Sequence, residues 1–212
     1  IHTVGRDESG NPLEPAPIHR SWFEHIFYCW NHDIVPIILA PWGHGKSVNV
    51  AIYLPLWMLG INPNLRGKMV SNSDDNATKR VKAVRRLIGD KRADMSAELR
   101  QVFPRLKRDK RGFWNDHAIT VEKPHKSVTV DASLEAHGVF GTGIGGRCDL
   151  LIGDDTTDRR NSIEQASLRH RVIETYAGTW QSRLEPNGRQ CAIMTRWHES
   201  DLAAHWMGES EY

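Results

Sequence analysis

A glycine-rich loop between an apolar run and a helical pattern constrains the fold of this chain more than any other feature. Residues 34–40 (IVPIILA) form a continuous apolar run rich in β-branched side chains, which is typical of a strand buried on both faces of a sheet. The loop APWGHGKS ends this run, and a helical pattern follows over residues 47–59. A strand, a glycine-rich turn and a helix in this order predict an α/β fold.

The alternation of strand-like and helical patterns continues along the chain. We predict further helices over residues 19–30, 75–89, 163–184 and 200–207, and expect Pro55 to bend the helix over residues 47–59. Strands are predicted over residues 67–72, 118–122, 127–131, 148–153 and 190–195, with turns at residues 123–126 and 186–188. Such an order implies a mostly parallel central sheet covered by helices on both faces.

The length and composition fit a single folded domain. The chain has 212 residues, of which 39% are hydrophobic and 25% are charged, close to the averages of globular proteins. Residues 1–16 are rich in Gly, Pro and Asp and show no periodicity. We therefore divide the chain into an N-terminal arm, residues 1–18, and one α/β domain, residues 19–212.

The cysteines and the hydropathy argue against disulfide-rich, zinc-binding and membrane-spanning proteins. Cys29, Cys148 and Cys191 lie far apart and include no CxxC pair, which argues against a disulfide framework and a zinc site and favours a reducing compartment. No apolar run approaches the ~18–20 residues that a membrane helix needs. We therefore expect no membrane partner.

The glycine-rich loop has the residues of a nucleotide phosphate site. It fits the pattern G-x-x-x-x-G-K-[ST] except that Ala40 replaces the first glycine. The glycines allow the backbone to fold around phosphates, and the following helix offers free N–H groups. Lys46 is a cation for the β- and γ-phosphates of ATP, and Ser47 is a hydroxyl ligand for Mg²⁺. The predicted nucleotide contacts are Gly43, His44, Gly45, Lys46, Ser47 and Val48.

A chance match within an ordinary turn is the alternative interpretation of this loop. The buried strand that precedes it and the helix that follows it supply the structural context that the motif requires. This context favours the phosphate site.

A pair of carboxylates ends another apolar run, DLLIGDD. Asp154 is placed to hold Mg²⁺ through water, and Asp155 is placed to orient and deprotonate the attacking water. Hydrolysing P-loop enzymes usually carry Glu at the second position, and Asp is one methylene shorter. Two Asp residues at a strand end are also typical of a helix cap or a turn. The phosphate loop earlier in the chain favours the magnesium interpretation.

A third strand end carries Thr195 and Arg196. The Thr195 hydroxyl is placed to sense the γ-phosphate, and Arg196 to pass that change to a moving segment. From chemistry alone, a simple strand-to-helix turn in which Ser200 caps the next helix is the better interpretation.

In their order along the chain, these segments resemble the ATPase half of terminase large subunits from tailed bacteriophages. The resemblance rests on APWGHGKS, SNSDDNATKRVKAVRRLI, GRCDLLIGDD and RLEPNGRQCAIMTRWHESDLA, and covers about residues 19–206. TRWHESDLA is its most specific part. The resemblance implies a P-loop ATPase domain of the RecA-like (ASCE) type in which Lys46 and Ser47 belong to the phosphate loop. It also implies that Asp154 and Asp155 form the Walker B pair and that Thr195 is the coupling motif.

The resemblance also implies what such a domain does. It implies ATP hydrolysis with Mg²⁺ that powers packaging of double-stranded viral DNA into a procapsid, and places His19 near the adenine. A portal protein and a small terminase subunit are the implied partners, a homo-oligomeric ring is the implied active state, and the cytoplasm of an infected bacterium is the implied location. A helicase-like nucleic-acid motor and a nucleotide-binding switch without appreciable turnover remain alternatives.

The chain departs from the family in two respects. Many terminases have an arginine at the position of Trp42, so the charge that stabilises the transition state must come from elsewhere. Arg147 is our candidate, acting on a neighbouring subunit, with pairing to a nearby acid as the equal alternative. The nuclease domain of the family is not contained in these residues, so we expect no DNA cleavage by this chain.

Two basic stretches are candidates for DNA contact. The net charge of +2 does not by itself indicate a nucleic-acid-binding protein. Lysine and arginine clusters give sequence-independent binding to phosphates, although a basic helix face is usually just solvated surface. The candidate residues are Lys79 and Arg86 in the first stretch, and Arg105, Lys107, Arg108, Lys110 and Arg111 in the second.

Overall fold

The computed structural model describes residue 11 and residues 14–91, 95–124, 130–141 and 145–209. Its six strands are β1 (Ile37–Leu39), β2 (Gly67–Ser71), β3 (Ala118–Ile119), β4 (Leu134–Gly138), β5 (Cys148–Asp154) and β6 (Leu184–Met194). They form one sheet in the order β1-β6-β5-β2-β4-β3, in which every pair is parallel except the antiparallel pair β3–β4. The prediction of an α/β fold with a mostly parallel sheet is confirmed.

Helices lie before β1, between β1 and β2, between β2 and β3, between β5 and β6, and after β6. They are α1 (Pro17–Asn31), α2 (Leu54–Ile61), α3 (Asp74–Ile88), α4 (Ala97–Val102), α5 (Ala166–Thr175) and α6 (Leu202–Glu209). A π-helical segment, Ser47–Tyr53, leads directly into α2, so the change of helix type falls just before Pro55. Two more π-helical segments, Arg160–Glu164 and Tyr176–Trp180, flank α5, and a 3₁₀ turn, Gln181–Arg183, leads into β6.

Successive residues of the central strands face opposite sides of the sheet, and each side is covered by helices. Met69 packs into a core with α1, α2 and α3, while its neighbour Val70 packs into a second core with α5 and α6. The same alternation separates Ile152 from Leu151 on β5. Because side chains alternate along a strand, a strand buried on both faces must be apolar throughout, which is why the run in β5 was recognisable.

The three cysteines, Cys29, Cys148 and Cys191, are all buried, and none of them forms a disulfide. No helix of the described ranges combines the length and the apolar character needed to cross a membrane.

The first strand is shorter and more exposed than its sequence predicts. β1 contains three residues and lies at the edge of the sheet, where it pairs only with β6. Ile34 and Val35 precede it and are exposed, and Leu39 is 39% exposed. The prediction of a strand over residues 34–40 that is buried on both faces was therefore wrong. A continuous apolar run does not reveal whether its strand lies in the centre or at the edge of a sheet.

Strand β4 was missed in the sequence because it carries charged residues in the interior of the sheet. It pairs with β2 so that Glu135 lies beside Lys68, whose side chain is almost fully buried. The Lys68 Nζ donates to Glu135 Oε2 at 2.7 Å, and His137 Nε2 lies 3.3 Å from the same oxygen. Burial raises the pKa of Glu135, but hydrogen bonds and charges from His137 and Lys68 outweigh it, and its pKa falls to about 2.

The region between β5 and the last helix differs most from the prediction. The helix predicted over residues 163–184 is interrupted at Gln165, whose backbone is extended, and it ends before β6 begins at Leu184. The turn predicted at residues 186–188 was wrong, because β6 runs through these residues. Cys148 pairs with Leu184 and Leu150 pairs with Arg189, so the intervening Pro-Asn-Gly segment forms a bulge in the strand.

The observed elements differ from the predicted ones in several smaller respects. The strand predicted over residues 118–122 is reduced to two residues, and α4 was not predicted. The strand predicted over residues 127–131 and the turn at residues 123–126 lie largely outside the described residues. Residues 1–10 of the predicted arm also lie outside them, and α1 starts at Pro17, slightly before the predicted helix.

The buried Lys68–Glu135 pair gives the stability of the fold a defined pH dependence. The pKa of Glu135 is lowered on folding from 4.5 to about 2, so its stabilising contribution is present above pH 4.5 and is lost as the pH falls toward 2. Glu135→Gln should therefore lower the free energy of unfolding by about 3 kcal/mol at pH 7, and by much less near pH 3. Urea unfolding at the two pH values measures this difference.

Glu122→Gln is the matched control, because Glu122 pairs with Lys107 while both side chains are largely exposed. It should change the free energy of unfolding by less than about 1 kcal/mol at either pH. An equal effect of both substitutions at pH 7 would contradict the assignment of Lys68–Glu135 as a stabilising buried pair.

Candidate nucleotide-binding site

Three strand ends bring the predicted site residues together. Strands β1, β6 and β5 are adjacent and parallel, so their carboxyl ends lie at the same edge of the sheet. The glycine-rich loop follows β1, Asp154 and Asp155 end β5, and Thr195 follows β6. In open α/β sheets this edge is where ligands bind.

The glycine-rich loop adopts a backbone that requires glycine. Gly43 and Gly45 have φ angles of 80° and 72°, in the left-handed region that side chains with a Cβ rarely adopt. A Cβ on Gly45 would also lie 3.2 Å from Asn49 Nδ2 and 3.3 Å from His19 Nε2, whereas a Cβ on Gly43 would meet no atom within 4 Å. The backbone of the loop therefore requires glycine at both positions, but neighbouring side chains pack closely only against Gly45.

An open cavity of about 310 Å³ lies over this loop. Its lining contains a cation, a hydroxyl and a carboxylate beside the first turn of a helix, which is the donor set that a phosphate with a divalent cation needs. The lining residues are Trp42, Gly43, Gly45, Lys46, Ser47, Val48 and Asp155.

Lys46 connects the loop to both neighbouring strands. Its side chain is buried, and Nζ donates to Thr195 Oγ1 at 2.9 Å and lies 3.1 Å from Asp155 Oδ2. The Thr195 hydroxyl donates in turn to the carbonyl of Ala40 at 3.3 Å. The ammonium thus has a carboxylate and a hydroxyl as partners at the place where the loop offers a phosphate site.

Asp154 is fully buried and held from two sides. Its Oδ1 accepts a hydrogen bond from Ser47 Oγ at 2.8 Å, and its Oδ2 accepts one from Arg80 Nε at 2.6 Å. The Ser71 hydroxyl donates to its main-chain oxygen. A hydroxyl and a carboxylate in contact are ligands that Mg²⁺ prefers, so Ser47 and Asp154 fit the predicted metal site.

Sequence reasoning did not assign Arg80 to the site. Its helix, α3, buries Ala77, Val81 and Val84. Arg80 is one turn from Ala77 and from Val84, so helical periodicity places it beside the buried face and not on the solvated one. That periodicity was the signal available in the sequence.

Asp155 has an unusual backbone that accounts for the short side chain at this position. Its φ angle is 45°, and a non-glycine residue in this left-handed region is most often Asn or Asp. Its Oδ1 accepts the backbone N–H of Thr195 at 2.9 Å. Burial raises the pKa of Asp155 above its ordinary value, with the charge of Lys46 acting in the opposite direction.

His19 lies against the loop beside a second cavity of about 130 Å³. Its Nε2 donates to the carbonyl of His44 at 2.8 Å, and its Nδ1 accepts the backbone N–H of Ala16 at 3.1 Å, so the ring orientation is fixed at both nitrogens. This cavity shares Gly45 and Val48 with the first one. Its lining residues are Glu14, Pro15, His19, Gly45, Val48, Asn49 and Tyr53.

Arg196 points away from the loop toward the start of α6. Its Nε lies 3.2 Å from Asp201, a buried carboxylate that also accepts the backbone N–H of Ala204 at 3.1 Å. Asp201 therefore caps α6, and the interpretation of Ser200 as the cap was wrong. The segment after Thr195 is tied to α6 through this carboxylate.

Arg147 lies at the end of the sheet opposite the site. It immediately precedes β5 and is eight residues from Asp155, a distance of about 26 Å at ~3.3 Å per residue. Its side chain is exposed and forms no hydrogen bond or ion pair with any described residue. The structure places Arg147 away from the site of its own chain, and a role in a neighbouring subunit stays a prediction.

Of the basic residues predicted to contact DNA, some pair with neighbouring side chains and others are exposed. Arg108 lies over the Trp114 ring at 5.5 Å and pairs with Asp90, so it supports the local structure. Lys107 pairs with Glu122 but remains exposed. The other exposed candidates are Lys79, Arg86, Arg105, Lys110 and Arg111.

The fold and the loop together define a phosphate-loop α/β domain. Among solved structures, the HK97 bacteriophage large terminase matches 100% of this chain with a TM-score of 0.61 and 12% identity. This match confirms the terminase-like fold over the whole chain. The chain spans 40% of the length of that terminase.

Three further comparisons complete this result. A variant of the ATPase domain of the Thermus phage P74-26 large terminase matches 86% of this chain and 70% of its own, with 16% identity and a TM-score of 0.43. No protein-family model matches the chain. No curated protein sequence matches it.

The two loop glycines form a matched pair for testing the site geometry. Gly43→Ala and Gly45→Ala should each cost about 1–2 kcal/mol of unfolding free energy because both backbones are left-handed. Gly45→Ala should cost more, since its Cβ must also displace His19 and Asn49. Chemical denaturation of the nucleotide-free protein measures both costs, and equal losses would contradict the described packing of His19 on the loop.

Proposed function

We propose that this chain is the ATPase domain of a terminase-type DNA-packaging motor. The observation that carries the proposal is the meeting of Lys46, Ser47, Asp154, Asp155 and Thr195 at one end of the sheet. The fold around them matches a phage large terminase over the full length of this chain. Four chemical groups that ATP hydrolysis needs lie there: a cation that binds phosphate, a hydroxyl and a carboxylate that bind the metal ion, and a base.

Each residue has a role that follows from its position. Lys46 binds the phosphates of ATP, and Ser47 with Asp154 holds Mg²⁺, which neutralises phosphate charge when it is bound. Asp155 accepts the proton of the attacking water. Its raised pKa favours this role, because a base works best with a pKa closer to the working pH. His19, beside the second cavity, contacts the base of the nucleotide.

Thr195 and Arg196 are proposed to couple the nucleotide to the rest of the domain. In the structure, Lys46 donates a hydrogen bond to the Thr195 hydroxyl. A phosphate that draws Lys46 away leaves Thr195 without this hydrogen-bond donor. The resulting movement of Thr195 passes through Arg196 and Asp201 to α6.

The moved substrate is proposed to be double-stranded DNA. The basic loop formed by residues 104–113 exposes Arg105, Lys107, Lys110 and Arg111, and α3 exposes Lys79 and Arg86. Such contacts neutralise backbone phosphates without reading sequence, which suits a translocase. A portal protein, a small terminase subunit and a ring of identical subunits in an infected bacterium complete the proposed packaging assembly.

The first test is the rate of ATP hydrolysis per subunit as a function of protein concentration. We expect Mg²⁺-dependent turnover that rises with concentration and falls to background in Lys46→Ala, which lacks the phosphate cation. Lys82→Ala is the matched control, because Lys82 lies on α3 and pairs with Asp116 away from the loop. Equal turnover in both variants would contradict the assignment, and nucleotide binding without turnover would favour a nucleotide switch.

Mixing two variants tests whether Arg147 acts on a neighbouring subunit. Arg147→Ala alone should bind ATP but not hydrolyse it. Mixed with Lys46→Ala, it should regain turnover, because the Lys46→Ala subunits still supply Arg147 to the intact sites. Failure of the mixture, or full activity of Arg147→Ala alone, would remove Arg147 from the mechanism.

The basic loop is tested through the salt dependence of DNA binding. The combined variant Arg105→Ala, Lys110→Ala and Arg111→Ala should weaken binding to duplexes of unrelated sequence equally. The slope of log K against log salt concentration should shrink by about 0.9 for each phosphate contact that is lost. Arg189→Ala, which removes a surface pair with Asp33, should leave the slope unchanged. A slope that changes equally in both proteins would place the DNA elsewhere.

A further inference from the structure

Arg80 occupies a position that the proposed function leaves unexplained. It lies on α3, separate from the loop and from the strand ends, yet its Nε lies 2.6 Å from Asp154 Oδ2. The Asp154 side chain is 0% exposed, and that of Arg80 is 27% exposed. A hydrogen bond between an arginine and a buried carboxylate is strong and directional.

The two oxygens of Asp154 have separate partners. Oδ1 faces Ser47, the hydroxyl that lies at the start of the helix after the phosphate loop. Oδ2 faces Arg80, and the main-chain oxygen is held by Ser71. The carboxylate plane is thus fixed with one oxygen turned toward the loop and the other anchored on α3.

We propose that Arg80 is a positioning residue for magnesium: by holding Oδ2, it turns Oδ1 of Asp154 toward the metal site beside Ser47. This inference rests on the proposed function, since it assumes that nucleotide binds with Mg²⁺ at the loop. Hydrogen bonds of this kind to metal-binding carboxylates commonly change metal affinity by about 10–100-fold when removed.

Helix α3 is well suited to hold Arg80 in place. Its N-terminus is capped by Ser73, whose side chain accepts the Asn76 N–H, and Ala77, Val81 and Val84 are fully buried on either side of Arg80. A guanidinium fixed by a rigid helix gives the carboxylate one orientation. The same helix offers Arg85, which pairs with Asp116 at 3.3 Å, as a matched arginine away from the site.

Electrostatics alone predicts the opposite effect of Arg80 on the metal. A guanidinium beside a magnesium site repels the cation, so removing Arg80 would tighten Mg²⁺ binding if charge were its only contribution. Loss of orientation weakens Mg²⁺ binding instead. The sign of the change therefore separates a positioning residue from a competing cation.

The experiment measures the affinity for the non-hydrolysable ATP analogue AMP-PNP by calorimetry, once with Mg²⁺ and once with EDTA. The readout is the factor by which Mg²⁺ tightens binding. In Arg80→Ala this factor should fall about tenfold or more, while binding in EDTA stays within about twofold of the wild-type protein. Arg80→Lys and Arg80→Gln, which retain an N–H donor, should recover part of the loss, and Arg85→Ala should behave as the wild-type protein.

Three outcomes would overturn the inference. An unchanged or larger Mg²⁺ factor in Arg80→Ala would show that Arg80 does not orient the metal carboxylate. Equal losses with Mg²⁺ and with EDTA would show that Arg80 only supports the fold. Absence of Mg²⁺-dependent AMP-PNP binding by the wild-type protein would overturn the proposed function itself, and the inference with it.

Discussion

The contact of the Lys46 ammonium with Asp155 and Thr195 is the interaction on which the site depends. It joins the loop after β1 to the ends of β5 and β6, at distances of 3.1 Å and 2.9 Å. A buried ammonium needs charged or polar partners, because an unpaired buried charge is strongly unfavourable. Asp155 supplies a carboxylate and Thr195 a hydroxyl, and in the proposed function a phosphate takes their place as the partner of the ammonium.

The adjacent acids of the site are each matched to a cation from a different element. Asp154 is paired with Arg80 of α3, and Asp155 is paired with Lys46 of the loop. Two neighbouring carboxylates, one fully and one partly buried, would repel each other without these cations. The pairing explains how the end of one strand can carry two adjacent acids, the proposed metal ligand and the proposed base. It also joins the site to α3 as well as to the loop.

The site residues that could be predicted from the sequence are those that belong to short sequence motifs. Asp154 ends one apolar strand, Thr195 follows another, and Lys46 and Ser47 follow a third through the glycine-rich loop. Parallel strands bring these ends together. Arg80 was not predicted as a site residue because its partner is far away in sequence and basic residues on helices are usually solvated. Strand β4 was missed for a similar reason, since the buried partner of Glu135 lies on another strand. Contacts between elements that are far apart in the chain, which a single sequence does not reveal, decided both cases.

A crystal structure of the protein with Mg²⁺ and AMP-PNP would test the nucleotide site most directly. We expect phosphates against the backbone of Gly43 and Gly45, Mg²⁺ beside Ser47 and Asp154, and Lys46 moved from Asp155 to the phosphates. Arg80 should still contact Asp154. Nucleotide bound elsewhere on the chain, or phosphates at the loop with Lys46 still paired to Asp155, would contradict the assignment of Lys46 as the phosphate-binding residue.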